Sequence, residues 1–173
     1  MGKRDVLIRT ALLALVAVCL AAFLRESGQA IPVIGQPLPN FSLDTDGGRP
    51  IRLADLRGKV VVINFWATWC PPCVEEMPSL DRFARAYAPR GVEVVAISVD
   101  DDVKAYRDFL QARSLSLRTV LDPDKKVSVQ YGTFKYPETY IADRQGRLVR
   151  KIVGPADWMD PRVTEIVDQL LKN

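Results

Sequence analysis

Hydrophobic and polar residues alternate along this chain with two periods, one typical of buried strands and one typical of amphipathic helices. Residues 60–65 and 92–99 are largely apolar runs rich in Val, which predicts central strands buried on both faces. Between them, apolar residues recur every three or four positions from 71 to 88, which predicts a helix. Alternation of this kind indicates an α/β fold built on a mostly parallel sheet.

The rest of the chain is predicted to add antiparallel strands and further helices to this sheet. Short apolar segments around Gly-containing turns indicate hairpins, and Asp or Pro before amphipathic stretches indicates helix starts. The predicted elements are an N-terminal hairpin (41–43 with 51–53), a helix after Asp102, a strand at 117–121, a short helix at 125–131, a hairpin (139–142 with 148–153) and a last helix from Pro161. We therefore expect a central mixed sheet, helices on both faces and an N-terminal hairpin extension.

The first 30 residues have a different pattern, which predicts a membrane segment separate from a folded domain at 31–173. A basic start is followed by Thr10–Leu24, which has no charged residue. Arg9 and Arg25 at its ends can reach the two interfaces of a bilayer. The positive-inside rule then predicts a single-pass signal anchor in a bacterial inner membrane, with the domain on the periplasmic side. Cleavage after Ala30 and lipid attachment at Cys19 are the alternatives.

Composition removes several classes of function. The 173 residues include 24 Lys plus Arg against 21 Asp plus Glu, with no basic stripe, so nucleic acid is not an expected partner. The chain has 0 His, which excludes Ser–His and Cys–His nucleophile pairs and any His-ligated zinc or haem within it. Acid–base chemistry must then use Asp, Glu, Lys, Tyr or Cys.

The candidate chemistry is a Cys-x-x-Cys, Cys70 and Cys73, where a buried strand ends and a helix begins. A sulfur at a helix N-terminus faces unpaired N–H groups and the positive end of the helix dipole, which stabilises a thiolate. Cys70 is therefore the expected nucleophile, and Cys73, one turn further on, is expected to be more buried and to attack second. Three other uses of the motif are disfavoured. Half a zinc site lacks further ligands, and a haem attachment site would need His where Val74 stands. A static disulfide is not expected at an exposed helix start.

Several segments make this chain similar to a known family. The stretch 65–73, FWATWCPPC, resembles the active-site signature of thioredoxins. The wider pattern resembles the membrane-anchored TlpA, ResA and CcmG (DsbE) group over roughly residues 35–173, nearly the whole predicted domain. The segments that carry this likeness are 39–43 (PNFSL), 56–60 (LRGKV), 75–78 (EEMP) and 136–139 (YPET).

This resemblance implies roles for individual residues. Cys70 would be the attacking thiolate and Cys73 the resolving thiol, together forming a redox-active disulfide. Pro137 matches the family's cis-proline, which faces the disulfide and lets the Tyr136 backbone pair with an extended substrate strand. Trp69 is expected to be partly exposed as a substrate contact.

One acidic residue is expected to handle the proton of the second thiol. Cytoplasmic thioredoxins have a buried Asp at the position of Asn64, so that carboxylate is missing here. Glu76, three residues after Cys73, matches an acid of the ResA and CcmG type. We expect Glu76 to be partly buried, with a raised pKa, and to exchange protons with Cys73. A solvated helix Glu is the alternative.

The resemblance implies a thiol–disulfide oxidoreductase that needs no dissociable cofactor. Its expected substrate is an extracytoplasmic disulfide protein, with apocytochrome c first and a copper-assembly protein of cytochrome oxidase second. Its expected electron donor is a membrane protein of the DsbD or CcdA kind. Alternatives are a disulfide-forming oxidant, a peroxiredoxin-like peroxidase, which the lack of a Thr-x-x-Cys disfavours, and a copper-binding chaperone, for which only Met77 is a nearby additional ligand.

Overall fold

A computed structural model describes residues 31–45 and 48–172 of the chain. The predicted signal anchor, the cleavage point after Ala30 and the alternative role of Cys19 all lie outside the described residues. Within the described part, no helix has the length and apolar character needed to cross a membrane.

The described chain contains seven strands and four α-helices. The strands are β1 (Ser42–Leu43), β2 (Ile51–Arg52), β3 (Val60–Trp66), β4 (Val92–Ser98), β5 (Arg118–Leu121), β6 (Glu138–Ala142) and β7 (Leu148–Val153). The helices are α1 (Pro71–Tyr87), α2 (Val103–Arg113), α3 (Lys126–Gln130) and α4 (Pro161–Lys172), and short 3-10 turns occupy Leu53–Leu56 and Ala88–Arg90. Each predicted end lies within one residue of the observed one.

Five of the strands form a mixed sheet in the order β5-β4-β3-β6-β7. The β3–β4 and β4–β5 pairs are parallel, whereas β6 is antiparallel to both β3 and β7. Every residue of β3 is buried, as is expected for a central strand whose two faces are both covered. The predicted mixed α/β sheet is therefore confirmed.

The predicted N-terminal hairpin is also confirmed, as a separate two-stranded sheet. Leu43 pairs with Ile51 and Ser42 with Arg52 in antiparallel register. Ahead of it, the proline-rich lead-in runs along the domain, and the Tyr131 hydroxyl donates to the Pro39 carbonyl over 2.7 Å.

The topology brings three loops to one edge of the sheet. Because β3 and β4 are parallel, their C-terminal ends lie side by side, and Cys70 and Asp100 follow these two ends. Because β6 is antiparallel to β3, its first residue, Glu138, pairs with Phe65 at that same edge. Pro137 directly precedes Glu138, so the cysteine loop and the proline loop share one edge.

Candidate functional site

The two cysteines of the motif are joined in a disulfide at the start of α1. Cys70 is the N-cap residue, with an extended backbone (φ −102°, ψ 98°), and α1 begins at Pro71. The Cα atoms of Cys70 and Cys73 are 5.3 Å apart, within the ordinary range for bridged cysteines. The Cys70 carbonyl accepts the Val74 N–H over 3.1 Å, so the loop runs directly into the helix.

The helix start offers the Cys70 sulfur fewer hydrogen-bond donors than a typical helix would. Pro71 and Pro72 have no N–H, so Cys73 supplies the only N–H among the first three helical residues. The Cys70 side chain makes no capping hydrogen bond. Several unpaired donors were expected here. The local stabilisation of a thiolate at Cys70 instead rests on one N–H and the helix dipole.

Both sulfur-bearing residues are buried. Cys73 is 0% exposed, which confirms the expectation that it is the more buried cysteine. Cys70 is only 5% exposed, so the expectation of an exposed nucleophile is wrong for the disulfide form. The physical reason is that the bridge ties the Cys70 sulfur to a side chain that lies entirely inside the domain.

Exposed aromatic surface lies beside the buried disulfide. Trp69, directly before Cys70, is 58% exposed, and its ring packs edge-on against Tyr136 with centroids 5.9 Å apart. The Tyr136–Pro137 peptide bond is cis, as the family resemblance implied. The structure thus brings Trp69 and Tyr136 together next to Cys70, while their contact with substrate stays a prediction.

Glu76 is buried in the first turns of α1 and is 4% exposed. Its Oε1 accepts the Asn64 Nδ2–H over 2.8 Å, and its Oε2 accepts the Ala156 N–H over 3.0 Å and the Trp158 Nε1–H over 3.4 Å. Burial raises the pKa of Glu76 above its ordinary value, and these three donors lower it in part. The expected burial and raised pKa are confirmed, and the solvated alternative is wrong.

Asn64 connects Glu76 to the strand that follows the cis-proline. The same Nδ2 group donates to Thr139 Oγ1 over 2.9 Å, so one amide joins β3, α1 and β6. The other end of this amide, Oδ1, is buried without a hydrogen-bond partner in the described part of the chain. Asn64 occupies the position at which cytoplasmic thioredoxins have a buried Asp, and its amide orients the Glu76 carboxylate.

Glu76 also borders the protein surface. The surface of this domain has several open grooves with volumes of ≈ 310 to 420 Å³. One of them, of ≈ 380 Å³, is lined by residues that include Glu75, Glu76, Arg82 and Ala156. This groove is the part of the described surface that Glu76 borders. Ala156 and Trp158, which contact Glu76, were not predicted, because nothing local in the sequence connects them to the motif.

The arrangement can carry out two-electron exchange between disulfides and dithiols. Cys70 lies at the surface end of the bridge beside exposed aromatic rings, and Cys73 is buried on the same helix as the proton-carrying candidate Glu76. This division suits one sulfur to attack a partner and the other to release it. Because Cys70 and Cys73 are bonded to each other, neither sulfur is a free thiolate in this form.

Comparisons with known proteins agree with this chemistry. Residues 34–151 match the AhpC/TSA family model. The chain is 33% identical to the thiol-disulfide oxidoreductase ResA of Bacillus subtilis over 156 residues, covering 88% of this chain and 87% of that protein. It is 36% identical to ResA of Bacillus anthracis over 121 residues, 70% of each chain.

A solved structure supports the fold and the family. The chain superposes on a thiol:disulfide interchange protein of the thioredoxin family from Chlorobium tepidum with a TM-score of 0.69 and 28% identity, covering 82% of this chain and 99% of that one. The substrates implied by this kinship are disulfide-containing proteins. Together with the disulfide at the start of α1, these likenesses mean that the chain belongs to the thioredoxin-like AhpC/TSA family, as a ResA-type thiol–disulfide oxidoreductase.

Proposed function

We propose that this oxidoreductase works as a reductant outside the cytoplasm and that its substrate is apocytochrome c. Two thiols of apocytochrome c must be reduced before haem attaches to them, and the family resemblance implies this role. The observation that carries the proposal is the buried pairing of Glu76 with Asn64, one helical turn after Cys73 of the bridge. A carboxylate one helical turn after Cys73 can accept the proton that Cys73 loses in the step that releases reduced substrate.

The proposed reaction moves two electrons from the enzyme to the substrate. The reduced enzyme attacks one substrate sulfur with the Cys70 thiolate, which forms a mixed disulfide and expels the other substrate sulfur as a thiolate. Cys73 then attacks Cys70, the mixed disulfide breaks, and the second substrate sulfur leaves. Both substrate sulfurs gain protons, and the enzyme is left with the disulfide that the structure contains.

Glu76 takes part in this cycle as a proton carrier. Cys73 is a thiol until it attacks, so its proton must move to a nearby base during resolution. Glu76 lies one turn further along α1, and its burial favours the protonated form that results. This proton then passes to solvent at the groove lined by Glu75 and Arg82.

The substrate is proposed to bind as an extended strand along the loop before β6. Trp69, whose ring packs against Tyr136, and Phe134, two residues before Tyr136, supply exposed aromatic surface at this loop. A segment of apocytochrome c around its Cys-x-x-Cys-His motif is unfolded before haem binds. Such a segment can form the backbone hydrogen bonds of an added strand.

Membrane attachment and the electron donor belong to the same proposal. The basic start and the uncharged run Thr10–Leu24 support a single-pass anchor in the bacterial inner membrane, with the domain on the periplasmic side. A reductant outside the cytoplasm has no direct access to cytoplasmic reductases. We therefore propose a membrane donor of the DsbD or CcdA type, which restores the Cys70 and Cys73 thiols after each turnover.

A trapping experiment tests the substrate. In a Cys73→Ser variant expressed in the native host, Cys70 forms a mixed disulfide that nothing resolves, so the substrate stays attached and mass spectrometry identifies it. We expect apocytochrome c among the trapped proteins, and none from a Cys70→Ser, Cys73→Ser double variant. Capture of a copper-assembly protein of cytochrome oxidase, without any apocytochrome, would replace the proposed substrate with the second candidate.

A redox titration tests the direction of electron flow. The Cys70–Cys73 pair is equilibrated with glutathione or with dithiothreitol, and its reduction potential is read from the fraction alkylated. A reductant should have a potential below about −200 mV, near those of the reducing members of the fold. A potential near about −120 mV would instead identify a disulfide-forming oxidant.

The mass of the mature protein tests the anchor. An intact N-terminus that stays in the membrane fraction after carbonate washing is the expected result. A mature chain that begins at Ile31 would show that the segment is a cleaved signal peptide, and a lipid mass on Cys19 would show a lipoprotein.

A further inference from the structure

A buried carboxylate with no role in the chemistry above lies beside the cysteine loop. Asp100 follows β4 and is only 1% exposed. Its Oδ1 accepts the Thr68 hydroxyl over 2.6 Å, and both of its oxygens lie 3.1 Å from the Thr68 backbone nitrogen. Its Oδ2 accepts the Ser98 hydroxyl over 2.6 Å. All of these contacts are hydrogen-bond donors, which suits an ionised carboxylate.

Thr68 occupies the turn that delivers the attacking cysteine. The Cys70 N–H donates to the Ala67 carbonyl over 3.2 Å, so Thr68 and Trp69 are the two central residues of this turn. Because Asp100 binds both the N–H and the hydroxyl of Thr68, it fixes the peptide plane before Thr68 as well as the rotamer of its side chain. The orientation of Trp69 and the entry of Cys70 into α1 follow from that plane.

The contribution of the turn to holding Cys70 in place differs between the disulfide and the dithiol form. In the disulfide form, Cys70 is held by its bond to Cys73 as well as by the turn. Each catalytic cycle breaks that bond, and the Cys70 sulfur is then held by backbone contacts alone. The bonds from Asp100 to Thr68 do not involve either sulfur, so breaking the disulfide does not itself remove them.

We infer that Asp100 is a positioning residue for the attacking sulfur, because its buried carboxylate holds the Ala67–Cys70 turn that carries Trp69 and Cys70. Asp100 touches neither sulfur in this role and acts through Thr68. The inference rests on thiol–disulfide exchange at Cys70 and is independent of which protein is the physiological substrate.

The chain offers a matched control in Asp81. This residue is also a buried Asp, and it accepts the N–H groups of Ser116 and Leu117 and the Ser116 hydroxyl over 2.8 to 2.9 Å. It therefore has the same kinds of backbone and hydroxyl donors as Asp100, together with an ion pair to Arg85 over 3.1 Å, but it joins α1 to the segment before β5 rather than to the cysteine loop. Replacing either Asp by Asn removes a buried charge from a similar hydrogen-bond network.

The test compares Asp100→Asn with Asp81→Asn in the reduced full-length protein. The readouts are the iodoacetamide alkylation rate of Cys70, resolved from Cys73 by peptide mass spectrometry, the rate of insulin reduction, and the unfolding midpoint. We expect both variants to lower the midpoint, whereas only Asp100→Asn slows Cys70 alkylation and insulin reduction, by about tenfold. Asp81→Asn should stay within about twofold of the wild-type rates.

A second pair of variants keeps the test decisive should Asp100→Asn fold poorly. Thr68→Val has the shape of Thr but no hydroxyl, so it should slow Cys70 by about threefold, and Thr68→Ser should restore the rate. The inference is overturned if Asp100→Asn and Asp81→Asn lower the rates equally, or if Thr68→Val and Thr68→Ser react alike. A wild-type Cys70 no faster than free cysteine would instead contradict thiol chemistry at this site altogether.

Discussion

The starts of α1 and α2 have nearly the same backbone conformation but different roles. Both helices follow a buried parallel strand, and both N-cap residues are extended, Cys70 at φ −102°, ψ 98° and Asp102 at φ −91°, ψ 99°. Asp102 accepts the N–H groups of Lys104 and Ala105 over 2.9 and 3.0 Å. Cys70 caps nothing, and two prolines follow it.

The difference shows how one local geometry becomes structural or reactive. At α2, a carboxylate satisfies the open N–H groups and neutralises the positive end of the helix dipole. At α1, the prolines remove N–H groups that would otherwise need partners, and the positive end remains available to a sulfur anion. The helix start with the poorer cap is therefore the one that can do chemistry.

The largest effect is expected from replacing Cys70, the cysteine at the start of α1. Cys70→Ser replaces the sulfur with a hydroxyl that is not ionised near neutral pH, so insulin reduction should fall by more than about a thousandfold. Cys73→Ser should retain the first attack and accumulate mixed disulfide. Equal accumulation of mixed disulfide by the two variants would mean that the two cysteines do not have separate roles.

The next largest effect is expected at Glu76. Glu76→Gln keeps the size of the side chain but cannot accept a proton from Cys73, so release of the mixed disulfide should slow by about a hundredfold. The alkylation rate of Cys70 should change far less, because Glu76 is placed beside the second thiol. Stopped-flow measurement of the two steps separates them, and an unchanged release rate would remove Glu76 from the mechanism.

A smaller effect is expected from restoring a donor to the start of α1. Pro72→Ala adds one N–H at the second helical position, where it can stabilise a Cys70 thiolate. Alkylation of reduced Cys70 at pH 6 should become about fivefold faster. Pro161→Ala, at the first position of α4, is the control and should leave Cys70 unaffected. A rate for Pro72→Ala equal to that of the wild type would show that the prolines do not limit this sulfur.

A substitution at the start of α2 should lower the stability of the domain without changing the reactivity of Cys70. Asp102→Ala removes the cap of α2 and should lower the free energy of unfolding by about 1 kcal/mol. In a domain of this size that loss corresponds to a midpoint lower by about 3 °C. Thermal unfolding followed by circular dichroism measures it. A slower Cys70 in Asp102→Ala would break the distinction between the two helix starts.

The most subtle effect is a change in how stability depends on pH. The pKa of Glu76 is raised by burial in the folded state, so its favourable contribution is complete below the ordinary value of 4.5 and is lost as pH rises through the raised pKa. Glu76→Gln has no such loss. The unfolding midpoint of the variant should therefore gain on that of the wild type as pH rises above 4.5, and a constant difference would contradict the raised pKa.

Much of this comparison could be predicted from the sequence, because its signals are local. Pro71 after Cys70 and the Asp102 cap mark both helix starts within a few residues. The spacing of three residues from Cys73 to Glu76 places the acid one turn away on the same helix. The apolar runs of β3 and β4 identify the central strands without any knowledge of their partners.

The rest depends on contacts between distant parts of the chain. Asn64 and Thr139 are 75 residues apart, and Glu76 and Trp158 are 82 apart, so strand register and loop path decide whether they meet. The contact of Asp100 with Thr68 had one available signal, since both follow neighbouring parallel strands. The burial of Cys70 was mispredicted because a helix start is usually open, whereas here the bridge turns its sulfur inward.

The depth of the bridged sulfurs has a consequence for which molecules can deliver electrons. With Cys70 at 5% exposure and Cys73 at 0%, little of either residue is open to a small thiol diffusing in solvent. A protein that docks against Trp69 and Tyr136 can hold its own thiol in line with the bond for far longer. We therefore expect a protein dithiol that docks there to reduce the bridge faster than glutathione or dithiothreitol at the same concentration, although each can reach equilibrium with it.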